Sequence, residues 1–108
     1  MSRSAPDAAK AAQTKALRQE AGRWLRAARE RAGLTQAQLS EAVGLRYYTF
    51  VSQVESGVGR LPIETQAAWA RAVGLDEAEF ARTLLAYYEP ELHRLLFEGA
   101  ASASQARA

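Results

Sequence analysis

Gly33 and Gly44 bracket the stretch that most constrains the fold of this chain. Between them, Thr35-Gln36-Ala37-Gln38 is a capping box: the threonine hydroxyl covers a helix start while Gln38 reaches back. Leu34 and Leu39 stand at the two staple positions around that cap. A short helix is therefore expected over residues 36–43, stopped at Gly44, where glycine accepts a positive φ at no steric cost. A second short helix is expected to begin at residue 46 or 47 and run to about 56. Leu39, Val43, Leu45, Val51 and Val54 are the residues expected to pin the two together.

The rest of the chain reads as helix throughout. Residues 1–14 are polar and alanine-rich with no sustained apolar face, which predicts a flexible arm or a frayed helical extension. From Leu17, apolar residues recur at helical spacing through Ala21, Trp24, Leu25, Ala28 and Ala32, up to Gly33. Gly57-Val58-Gly59-Arg60 is a loop, and Pro62 suits the first position of a fourth helix carrying Ile63, Ala67, Trp69, Ala70 and Val73. Asp76-Glu77-Ala78-Glu79 is another capping box, stapled by Leu75 and Phe80, and opens a fifth helix to about residue 88. Pro90 then interrupts, and Leu92, Leu95, Leu96 and Phe97 form a last apolar turn or two. No stretch alternates as a strand does. The expected class is all-α: a helix-turn-helix domain over 15–88, a helical extension over 89–98 and a disordered tail over 99–108.

Composition removes most alternatives. Cysteine is absent and His93 is the only histidine, so thiolate sites, histidine-built metal centres and most nucleophilic triads lack their parts. No apolar run approaches the roughly 20 residues that span a bilayer, and the N-terminus has no apolar core of a secretory signal. A cytoplasmic protein that is not an enzyme and needs no cofactor is expected. Charge is unevenly spread: residues 1–60 hold 10 Lys/Arg and 5 Asp/Glu, against 4 and 7 in residues 61–108. The basic half suits a polyanion.

Two short helices around a glycine turn form a helix-turn-helix pattern, whose second helix must offer a polar face to the major groove. Arg31 to Gln36 (RAGLTQ), Leu39, Val43-Gly44 and Ser52 to Gly57 (SQVESG) resemble the Cro, phage-repressor and xenobiotic-response-element (XRE) regulators. The resemblance spans roughly residues 22–80. It implies a five-helix domain that binds operator DNA, usually as a dimer on a palindrome. It also implies that Gln36 touches a phosphate and braces the recognition helix, at a helix start whose N–H groups suit an anion. Arg29 and Glu55 fall where the family has a buried ion pair, and Arg60 where a phosphate contact is usual. One residue more than the common spacing separates Gly44 from Glu55, within Leu45-Arg46-Tyr47. It is either a bulge in the turn or a change in how the helix enters the groove.

Arg46, Tyr47, Tyr48, Thr49, Ser52 and Gln53 are thus the residues expected to meet double-stranded DNA, with either tyrosine alternatively packing on its own domain. Arg and Gln suit bidentate contacts to guanine and adenine edges. Thr, Ser and Tyr hydroxyls suit phosphates. Tyr87, Tyr88, Leu92, Leu95, Leu96 and Phe97 either cover the domain's own core or form a homodimer interface. A competing reading is an antitoxin-like or adaptor module that binds a protein partner through these C-terminal helices.

Overall fold

The computed structural model describes residues 5–99, all of whose regular elements are helical. These are α1 (Ala5–Arg31), α2 (Gln36–Ala42), α3 (Thr49–Ser56), α4 (Ile63–Ala72), α5 (Glu77–Tyr88) and α6 (Pro90–His93), followed by a π-helical stretch, Arg94–Gly99. The expected tail lies, beyond Gly99, outside the described residues. α1 starts well before Leu17, so residues 5–14 are helical rather than a loose arm. Alanine has the highest intrinsic helix propensity and extends a helix without an apolar face to bury.

The caps fall where the residues put them. Thr35 Oγ1 accepts from the Gln38 N–H at 3.0 Å, and the Thr35 N–H donates to Gln38 Oε1 at 2.9 Å. Gly44 has φ 76°, and the chain reverses there with the Leu45 N–H bonded to Ser40 O at 2.8 Å. Asp76 caps α5 through the Glu79 N–H at 3.0 Å. α3 begins later than expected, at Thr49. Its first backbone bond runs from the Ser52 N–H to Tyr48 O at 3.2 Å. Arg46 and Tyr47 therefore belong to the turn, which takes up the extra residue without lengthening the helix.

Leu25, Leu39, Val51, Val54, Leu61, Trp69, Phe80 and Leu84 are fully buried, one or more from each of the first five helices and one from the loop before α4. Each such side chain contributes about 1.5–3 kcal/mol relative to exposure. Trp69 lies at this centre with Phe50 edge-on at 6.5 Å, while the half-buried Trp24 packs on Phe80 at 5.3 Å. Ile63, expected on the buried face of α4, is instead 78% exposed. Pro62 caps α4 rather than opening it, which puts Ile63 in the first turn, at the domain's rim.

α1 crosses the end of α3 at Gly22. A Cβ there would collide with the carbonyl of Glu55 and approach Val54 O to 2.9 Å. Only a residue without a side chain lets the two backbones meet this closely.

Candidate nucleic-acid interface

α3 has two faces. Val51, Val54 and Glu55 are buried, whereas Thr49, Ser52 and Gln53 are exposed on the other side. Arg46, Tyr47 and Tyr48 precede them in the turn and are exposed as well, the two tyrosines at 64% and 55%. Neither tyrosine packs into the domain. The Arg46 guanidinium lies over the Tyr47 ring at 5.5 Å. A shallow cleft of 290 Å³ runs between α2 and this turn, past Ala37, Ser40 and Glu41 to Arg46, Tyr47 and Tyr48. Arg46, Tyr47 and Tyr48 thus line this cleft together with Glu41, while Thr49, Ser52 and Gln53 are exposed on the adjoining first turns of α3.

A buried polar cluster holds that surface on its scaffold. Arg29 donates to both Glu55 carboxylate oxygens, from Nε at 2.7 Å and from Nη2 at 3.0 Å, and from Nη1 to Leu34 O at 2.8 Å. Gln36 Nε2 adds a bond to Glu55 Oε1 at 3.1 Å. The Glu55 hydrogen bond raises the Arg29 pKa further above its ordinary value, against a smaller opposing effect of burial. One carboxylate near the end of α3 therefore binds a side chain from α1 and another from α2. Gln36 is half-buried and spends one amide N–H on this brace. The Gln38 and Leu39 N–H groups at the start of α2 are already bonded to Thr35, leaving them no bond to spare for an anion.

Arg60 is turned elsewhere. Its loop follows α3 closely, the Val58 and Gly59 N–H groups donating to Gln53 O at 3.1 and 3.2 Å. The side chain, however, donates to Glu89 at 3.0 Å and lies over the Tyr88 ring at 4.9 Å. Nothing local in the sequence signals this pairing with a residue beyond α5.

The C-terminal residues, expected either to cover the domain's own core or to form a homodimer interface, divide three ways. Tyr88 is 8% exposed and its hydroxyl accepts from the Leu61 N–H at 3.1 Å, so it belongs to the domain's own core. Burial raises the pKa of that hydroxyl, outweighing the Leu61 bond and the nearby Arg60 charge. Tyr87 is half-buried against the same core. Leu92 and Phe97 line a groove against α4 and α5, whereas Leu95 and Leu96 lie outside it, 54% and 52% exposed.

A family model described as a helix-turn-helix domain matches residues 20–83. The match covers more than half of the chain, which therefore belongs to the helix-turn-helix domain family, whose class is that of DNA-binding regulators. It runs from within α1 to within α5 and leaves the C-terminal segment outside. A comparison with curated proteins found no match.

Proposed function

We propose that the chain is a sequence-specific transcription regulator of the XRE type that lays α3 in the major groove. The observation that carries this reading is the exposed polar face of Arg46, Tyr47, Tyr48, Thr49, Ser52 and Gln53, fixed from behind by the Arg29–Glu55–Gln36 cluster. Gln53 and Arg46 carry the donors and acceptors that discriminate bases, each good bidentate pair contributing about 1–3 kcal/mol. Tyr47, Tyr48, Thr49 and Ser52 supply hydroxyls for phosphates or base edges. Gln36 acts mainly as the brace, with a second amide hydrogen left for a phosphate. Arg60 serves as a phosphate contact once released from Glu89.

In this reading the protein acts as a homodimer, each copy occupying one half-site of a palindrome about 34 Å apart. Leu95 and Leu96 are the residues we assign to the dimer contact, because Tyr88 and Tyr87 are committed to the core. The site of action is DNA in the cytoplasm, and the reading requires no cofactor and no catalytic step.

The test is to titrate the protein with short duplex DNA and follow its backbone amide resonances. Shifts concentrated at 36, 46–49, 52–53 and 60 are expected. Shifts confined to 92–97, or none at low salt, would overturn the assignment and favour a protein partner.

A further inference from the structure

We propose that the groove between α4, α5 and the C-terminal segment is a binding site for a small apolar carboxylate, its hydrocarbon lying along Ile63, Leu85, Leu92 and Phe97 and its anionic end at Arg82 and Arg60. The groove has a volume of 570 Å³. That size and a mostly apolar lining with a few polar groups are what small-molecule sites have.

Three observations point to an anion with a hydrocarbon body. First, largely exposed apolar side chains converge there: Ile63, Leu92 and Phe97 are 78%, 45% and 40% exposed, yet line the same groove. Leu92 and Phe97 are five positions apart and reach one side through the start of the π-helical stretch. Such stretches are rare and recur at functional sites. Second, the charged groups lining the groove are Arg60, Arg82 and Glu89, a net of one positive charge that a monoanion complements. Third, among the described residues Arg60 is paired with Glu89 while Arg82 has no carboxylate in an ion pair; its guanidinium lies over the Phe97 ring at 4.5 Å. An arginine held on an aromatic face beside an apolar groove is placed to receive a carboxylate through charge-assisted hydrogen bonds. Residues 100–108 do not suit the groove as an internal occupant: their side chains are small or polar and the one charged among them is an arginine.

The groove shares Arg60 with the proposed DNA surface, so its test contains no DNA and its variants leave Arg60 in place. The full chain is titrated with decanoate and decyltrimethylammonium below their micellar range and with decanol below its solubility limit, with amide resonances as the readout. Decanoate should bind saturably and shift residues of α5 and 92–97, about tenfold more tightly than decanol, with no binding of the cation. Arg82→Gln, at an exposed position, should remove that tenfold preference while leaving decanol affinity unchanged. Ile63→Ser, also exposed, should weaken both ligands together. Equal affinity for decanoate and decanol, or no saturable shifts in the groove, overturns the proposal. So does a monomer–dimer equilibrium abolished by Ile63→Ser in a protein that ignores decanoate, which would make the occupant a second copy of the chain.

Discussion

The guanidinium of Arg60 donates to the carboxylate of Glu89 at 3.0 Å while lying over the ring of the neighbouring Tyr88. The loop that leaves α3 is thereby tied to the first residue after α5. Both partners are about half exposed, so the pair contributes no more than about 1 kcal/mol to stability and is readily exchanged for a phosphate. Glu89→Gln should therefore leave the fold intact and strengthen binding to every duplex alike. Arg60→Ala should weaken all duplexes and flatten the dependence of log K on log salt by about one unit. Fluorescence anisotropy across a salt series measures both. An unchanged slope in Arg60→Ala would remove Arg60 from the DNA surface.

The Arg29–Glu55 pair is of a different kind, with side chains only 9% and 3% exposed. Removing one member strands the other without its partner, which costs about 3–5 kcal/mol, whereas replacing both with apolar residues is often nearly neutral. Glu55→Ala should lower unfolding free energy by that amount in urea, and Arg29→Met with Glu55→Leu should recover most of it. A loss below about 1 kcal/mol in Glu55→Ala would mean that the pair behaves as an exposed one.

Gly22→Ala opposes helix propensity to packing. Alanine is preferred by about 1 kcal/mol in a helix interior. Its Cβ would run into the Glu55 carbonyl, a rigid backbone group that cannot swing aside. Overpacking of that sort costs typically about 1–3 kcal/mol, and here it displaces α1 from α3. Net destabilisation in urea is the expected outcome. A more stable Gly22→Ala protein would contradict the helix crossing described here.

Tyr88 gives the fold an alkaline limit. Its hydroxyl pKa is raised in the folded state, chiefly by burial, above the ordinary value of about 10. The folded state thus holds the proton more tightly than the unfolded one. The stability this contributes is fully present below about pH 10 and is lost as pH rises through the raised value. Tyr88→Phe should flatten that decline. At neutral pH it should cost about 1–3 kcal/mol, because the Leu61 N–H loses its buried acceptor. Urea unfolding at neutral and alkaline pH checks both effects.

Local signals carried the fold a long way. Thr35 and Asp76 cap the helices they were expected to cap, Gly44 makes the turn, and Arg29 meets Glu55 as the family resemblance implies. What stayed hidden depends on tertiary contacts. Tyr88 looks like one more apolar residue until Leu61 is seen to donate to its hydroxyl. Arg60 reads as a loop cation because Glu89 lies beyond two intervening helices. The start of α3 at Thr49 was obscured because Arg46 and Tyr47 suit a helix as well as a turn. Gly22 shows in the sequence only as a weak helix former inside a helical pattern; the close approach of α1 to Glu55 that requires it is a tertiary contact.

On the function proposed above, the face from Arg46 to Gln53 reads a DNA sequence. Sites are selected from a random duplex pool with wild type and with Gln53→Ala in parallel. Wild type should enrich a palindrome with half-sites about one helical turn apart, and Gln53→Ala should lose selectivity at one base pair of each half-site while keeping its non-specific affinity. No enriched sequence with wild type, or the same sequence enriched to the same degree by Gln53→Ala, would rule out base reading by this face.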